Sequence, residues 1–315
     1  MAIGFSNIPS DLRVPLFYAE MDNSAANSAS STLRRLIVAQ VNDNATSPEI
    51  GSLVLVSSVA LAKSIGGQGS MLAAMYDTWR KADPVGEIWC LPLRNTTGAI
   101  AKADLKLTGA AAESGVLNLY VGGVRVQAAV VSGQTAAQVA STLALQVNAA
   151  ADLPVSAVAT DGTVTLSCKW TGDSGNDISL QFNRLGKSNG EETPAGLTIV
   201  SAKMAGGAGI PDQVAALAAL GDEPFEFICQ PWSDVASLNA WQAAMDDSVG
   251  RWSWSKQLFG HVYTAKRGTV GTLVADRSDP QRPARHHPGD GAGRTATGLG
   301  SGRRTGCTHF GVHLG

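Results

Sequence analysis

The feature that most limits the fold of this chain is an alternation of strand and helix patterns that stops near residue 93 and resumes near residue 206. Leu36 to Val41 reads as a buried strand and Leu53 to Val56 as a short second one. Ser57 or Ser58 would cap a helix through Ile65. Ser70 would cap another, with Leu72, Met75, Tyr76 and Trp79 at the spacing of one buried helical face. Glu87 to Leu91 returns as a strand. After residue 206, Pro211-Asp212 opens a helix with Val214, Leu217 and Leu220 inward, ended by Gly221. Phe225 to Gln230 reads as a strand, and Ser233 caps a helix with Leu238, Trp241, Met245 and Val249 inward. Leu258 to Thr264 is a further strand. This alternation argues for a parallel or mixed sheet covered by helices.

The stretch 94–205 is patterned differently. Gly122-Gly123 joins two alternating runs, Val116 to Val121 and Val124 to Val131, as a two-residue hairpin turn does. Asp161-Gly162 turns a second hairpin, from Val155–Ala159 into Val164–Trp170. Thr135 and Gln138 form a capping box before a helix with Val139, Leu143 and Val147 on one face. Ile178 to Phe182 and Leu197 to Ser201 add strands. The expected fold class is therefore α/β with a discontinuous core, 36–93 plus 206–275, and an inserted α+β hairpin-rich domain, 94–205. Gly206-Gly207-Ala208-Gly209 reads as the hinge between them. Residues 1–35 read as an extended N-terminal arm, because Pro9 and Pro15 interrupt a helix and Asn23 to Ser31 has no periodicity.

Residues 276–315 are unlike the rest: rich in Gly, Arg, His and Pro, and home to four of the chain's five His. Such a segment buries too little apolar surface to offset its ordering entropy, so a disordered tail is expected. A basic arm touching phosphate and a His-rich metal site (His286, His287, His309, His313) both compete, but the His spacing matches no ligand pattern. The favoured expectation is an aberrant, out-of-frame tail.

Charged residues are 16% of the chain and the net charge is −2, so there is no global electrostatic footprint for nucleic acid. No apolar run is long enough to span a bilayer, and the first residues lack a signal-peptide pattern. Cys90, Cys168, Cys229 and Cys307 are scattered, with no CxxC pair, and read as buried thiols of a reducing compartment rather than a disulfide framework or a zinc site. Chemistry is sparse. Gly66-Gly67-Gln68-Gly69 before Ser70 could hold a phosphate at a helix N-terminus, but it departs from every phosphate-loop fingerprint. His261 stands alone on a strand, with no nucleophile elbow. Asp246-Asp247 and Glu191-Glu192 are adjacent pairs that do not face each other. Trp232, Trp252 and Trp254 could form a sugar or base platform, though interface filling explains them as well. No catalytic residue, cofactor site or metal site is expected, and the chain is not expected to be an enzyme.

Particular runs carry a family resemblance. They are Ile3-Gly4-Phe5-Ser6-Asn7-Ile8-Pro9; Leu12-Arg13-Val14-Pro15-Leu16-Phe17-Tyr18-Ala19-Glu20; GVLNLYVGGVRVQ at 115–127; TAAQVAS at 135–141; GNDISLQ at 175–181; and GAGIPDQVAALAALGDEPFEFICQPW at 207–232. In this order and spacing the chain resembles tail sheath proteins of Mu-like contractile-tailed phages and prophages, over about residues 1–275. Members of that family run on beyond this length, which agrees with a truncated or frameshifted chain. The resemblance implies a structural subunit with a subtilisin-like-type core, a label of fold only. It implies stacked rings of copies of itself around a tail tube, contracting to drive the tube through the host envelope. The implied partners are the tube protein and the baseplate and tail terminator proteins, with no nucleic acid and no membrane insertion. The implied location is the virion tail, assembled in the host cytoplasm. Phe5, Ile8, Leu12, Val14, Leu16, Phe17 and Tyr18 would be the inter-subunit arm, adding a strand to a neighbour's sheet. The competing expectation is a soluble α/β enzyme or small-ligand binder using the Gly66–Ser70 turn.

Overall fold

The structure, a computed structural model, describes residues 33–266. The arm residues, the tail and Cys307 lie outside the described residues. In chain order the elements are β1 (Arg35–Gln40), β2 (Val54–Leu55), α1 (Val59–Gly66), α2 (Met71–Ala82), β3 (Ile88–Leu93), β4 (Ile100–Gly109), β5 (Gly115–Val121), β6 (Val124–Val130), α3 (Ala136–Ala149), β7 (Val155–Thr160), β8 (Thr163–Thr171), β9 (Leu180–Phe182), β10 (Leu197–Ser201), α4 (Gln213–Leu220), β11 (Phe227–Cys229), α5 (Val235–Ala244) and β12 (His261–Tyr263).

An almost unbroken apolar run makes β1 a strand that can only be buried on both faces. It lies in the middle of a five-stranded sheet in the order β12-β11-β1-β3-β2. β12, β11, β1 and β3 are mutually parallel, and the two-residue β2 runs antiparallel along β3. Strands from both ends of the described chain thus share one sheet. Ile37 and Ala39 on one face join a core with Ile65 of α1 and with Leu72, Met75, Tyr76 and Trp79 of α2. Leu36, Val38, Leu91 and Leu93 on the other face pack with Ala216 and Leu220 of α4 and Trp241 of α5. Each fully buried side chain of this size contributes about 1.5–3 kcal/mol. Ser58 and Ser70 cap α1 and α2 as expected, accepting from Leu61 N and Ala73 N at 3.2 Å.

The intervening strands form two antiparallel sheets, β10-β4-β8-β7 and β6-β5-β9. Both expected hairpins are present. Gly122 and Gly123 take φ of +56° and +82°, and Asp161 and Gly162 take +44° and +83°, the paired positive φ that a tight hairpin requires. The expected capping box at Thr135 and Gln138 is formed. Inward residues of β4, β7 and β8 and of α3 join the same core as α1 and α2, so apolar packing runs without a break from the parallel sheet into the inserted region.

Three expectations fail in detail. Val214 is 70% exposed; α4 turns Gln213 and Ala216 inward in its place, with Leu220 inward as expected. The Gln213 amide sets this rotation: it donates to Pro211 O at 2.9 Å and accepts from Trp241 Nε1 at 3.1 Å. Val249 is 81% exposed because α5 ends at Ala244. The cap of α5 is Asp234, not Ser233, with Oδ1 accepting from Ser237 N at 2.8 Å.

Candidate functional site

In an open parallel α/β sheet, ligands bind outside the carboxyl ends of the strands, where adjacent connections leave toward opposite faces. Here the chain leaves β1 toward α1 on one face and leaves β11 toward α5 on the other, so that place lies between β1 and β11. Three buried amides mark the strand ends there: Gln40 ends β1, Asn95 follows β3, and Gln230 follows β11. The alternation of the strands places all three on the face that packs against α4 and α5. This crevice is filled by the chain itself. The Gln40 amide donates to Thr171 O at the end of β8. The Asp43 carboxylate accepts from Thr171 N at 3.1 Å and from Thr171 Oγ1 at 2.7 Å, and Asp43 N donates to Lys169 O at 3.0 Å. Nothing in the sequence signals this contact, because its partners lie 128 residues apart.

The two connections between the sheets run beside the filled crevice. Ala99 and Ala208 exchange backbone hydrogen bonds of 3.0 and 3.1 Å, and Lys102 and Ala205 exchange bonds of 2.8 and 2.9 Å. Gly172 N donates to Ala99 O and Asp173 N to Gly209 O. The Asn176 amide both donates to and accepts from Gly207, each at 2.8 Å. Of the expected hinge, Gly206–Gly209, the residues Gly207, Ala208 and Gly209 are held by these bonds, whereas Gly206 has open space around it. A Cβ on Gly98 would collide with Ala208 O, and one on Gly209 with Thr97 O. These glycines serve close backbone approach, not freedom of movement.

The Gly66–Ser70 turn is bonded to protein on one side, while Gln68 is exposed and lines a pocket with Lys63, Ala151 and Asp152. Asn42 N donates to Gly66 O at 2.8 Å, and the Asn42 amide donates to Gln68 O at 2.9 Å. Lys169 Nζ donates to Gln68 O and to Ala151 O, and a Cβ on Gly69 would strike Leu153 O. Gly67 N and Ser70 N are already bonded to Lys63 O and Gly67 O. A phosphate would have to displace this packing.

The remaining candidates are dispersed. His261 is partly buried in an aromatic cluster, with ring centroids 6.3 Å from Trp252 and 6.4 Å from Tyr263. Asp246 accepts from Ser248 N and Val249 N, capping a turn. Trp232 is buried and Trp252 partly buried, whereas Trp254 is 84% exposed, so the three Trp make no common platform. Cys90 and Cys168 are free and buried, as expected, whereas buried Cys229 is disulfide-bonded and so is not the thiol that was expected. Burial pushes both thiols up, that of Cys168 to about 12, so neither is a ready nucleophile. Among the described residues no group of three or more His, Cys, Asp or Glu could hold a metal. Among them, too, no helix is long and apolar enough to cross a membrane. The predicted arm residues Phe5, Ile8, Leu12, Val14, Leu16, Phe17 and Tyr18 lie outside the described residues.

Glu191 and Glu192 have separate roles. Glu192 pairs with exposed Lys187 at 2.9 Å. Glu191 is buried and gathers three donors: Tyr120 OH at 2.5 Å, Leu185 N at 2.9 Å and Arg125 Nη1 at 3.4 Å. Burial alone would raise its pKa, but the hydrogen bonds from Tyr120, Leu185 and Arg125 outweigh that and hold it below the ordinary glutamate value. A lowered folded-state pKa contributes stability that is present above the unfolded value, about 4.3, and is lost as pH falls through the folded value. Protection of the amides of residues 183–193, relative to their intrinsic exchange at each pH, should therefore fall as acid protonates Glu191. In Glu191→Gln that protection should already be low at neutral pH and should not fall further in acid. An acid-insensitive loop in the unaltered protein would contradict this.

No family model matches the chain. Over 284 residues it is 38% identical to the Mu-like prophage FluMu tail sheath protein of Haemophilus influenzae. That match covers 89% of this chain, and the chain spans 57% of that relative's length. Among solved structures, the sheath tail protein of Listeria innocua aligns with 76% of this chain and 50% of its own, at 13% identity and a TM-score of 0.28. A superposition that loose carries no argument about the fold. The resemblance to tail sheath proteins of Mu-like prophages, carried in the sequence by the opening motif and the 207–232 run, thus extends over most of this chain.

Proposed function

We propose that the chain is a structural, non-enzymatic subunit of a contractile phage tail sheath. It polymerises with copies of itself around a tail tube and contracts to drive that tube through the host envelope. The observation behind this reading is the 38% identity to a tail sheath protein over 89% of the chain. The filled crevice adds support, because the place where an α/β enzyme would bind its ligand is taken by β8. Trp254, Phe259 and Val249 leave apolar surface exposed, as a polymerising subunit needs. Against a ligand site at the Gly66–Ser70 turn stand the bonds already made by Gly67 N and Ser70 N. On this reading the tube, baseplate and terminator proteins are partners and the protein resides in the virion tail. Residues 36–93 plus 206–275 are then the sheath core, of subtilisin-like type in fold, and 94–205 an inserted domain. The residues from Phe5 to Tyr18 are the arm that reaches a neighbour.

Negative-stain microscopy after co-expression with the tail tube protein tests the reading. Rings or tubes that sediment with the tube are expected. Deletion of residues 1–30 should abolish them while leaving the fold intact. A discrete oligomer that never sediments with the tube would overturn the reading.

A further inference from the structure

We propose that Asp43 and Thr171 form a latch that holds the inserted hairpin region fixed on the parallel sheet, so that the two move as one body. Asp43 sits in the loop that follows β1, and Thr171 ends β8. The carboxylate takes both the amide and the hydroxyl of Thr171, and Gln40 takes the carbonyl of the same residue. Every polar group of Thr171 is thus bound to the central strand or the loop that follows it. Bonds of this kind to a carboxylate are stronger than those between neutral groups. The doubled connections supply an independent second tie. Two chain segments that could have swung are bonded to each other at Ala99–Ala208 and Lys102–Ala205, and Asn176 clips Gly207 to the inserted region. At Gly98 and Gly209 the crossing is too close for any side chain.

A consequence follows on the sheath reading, though the latch itself does not depend on it. If the subunit repacks between two arrays, the change must be taken up outside this junction, because a packed, doubly bonded seam is not continuously deformable.

Limited trypsin digestion of the full chain, with cleavage sites mapped by mass spectrometry, reads the latch without reference to assembly. Arg94, Lys102 and Lys203 flank the two connections and report their opening, while Lys187 in an exposed loop serves as the internal reference. In the unaltered protein the three flanking sites should be cut far more slowly than Lys187. Thr171→Val, which keeps the shape and removes the hydroxyl, should speed cutting at the flanking sites about tenfold, the factor expected for one buried hydrogen bond to a charged group. Thr171→Ser, which restores a hydroxyl, should return the slow rate. Asp43→Ala should open the sites further while circular dichroism shows the elements still folded. If Asp43→Ala does not fold, the Val and Ser pair still decides. Flanking sites cut as fast as Lys187 in the unaltered protein would overturn the latch. So would equal rates in the Val and Ser variants. A failure of the chain to form tubes would bear only on the sheath reading.

Discussion

Replacing Trp170 by alanine is expected to lower the unfolding free energy by about 3–5 kcal/mol, the range for emptying a large aromatic site in a core. Trp170 is 1% exposed and is the last inward residue of β8, after Val164, Leu166 and Cys168. Its indole N–H donates to Ser174 Oγ at 3.0 Å, so truncation also takes a hydrogen-bond partner from that hydroxyl. The loss has a second route, because Trp170 precedes Thr171 in the crevice. Urea titration followed by circular dichroism should show the fall in midpoint. Trp170→Phe should recover more than half of it, since most of the apolar contact is kept. A change below about 1 kcal/mol for the alanine variant would show that the site collapses around the gap or is not well packed.

The second large effect is at Gly98. Its φ of +130° is open to few residues other than glycine, and a Cβ there would collide with Ala208 O. Gly98→Ala carries backbone strain of about 1–3 kcal/mol. It must also push apart the Ala99–Ala208 pair that ties the connections. A marked fall in melting temperature or loss of soluble protein is expected. Gly133 is the control, with φ of +87° and nothing within 4 Å of the place a Cβ would take, so Gly133→Ala should cost only the local strain. Equal melting temperatures for the two variants would show that the close approach at Gly98 is unimportant.

Much of the local architecture is legible in residue patterns. Both hairpin turns, the Ser58 and Ser70 caps, the Thr135 capping box and the buried face of α2 are decided within a few residues of sequence, where propensity and hydrogen-bonding side chains act directly. β4 escapes such a reading, although it is the longest strand and alternates between buried and exposed positions over most of its length. Ala101 and Ala103 fill two of its inward positions, and alanine favours helix over strand, so the alternation carries little signal. The same weakness affects α4, where every residue after Gln213 is Val, Ala or Leu. A single amide, Gln213, then chooses the buried face through its bond to Trp241.

The candidate site divides in the same way. The family resemblance rests on runs of residues that any reader of the chain can align, and it points to a sheath subunit without recourse to three dimensions. By itself, then, the sequence determined most element types, both hairpin turns, the caps at Ser58, Ser70 and Thr135, and the resemblance to tail sheath proteins. The tertiary structure alone decided that Gly207, Ala208 and Gly209 are bonded to Asn176, Ala99 and Asp173, that the backbone of the Gly66–Ser70 turn is bonded to protein, and that Thr171 fills the crevice beside β1. Those outcomes depend on which surfaces meet across more than a hundred residues. No local pattern encodes such a meeting, because its energy arises only when both partners have been brought together and desolvated.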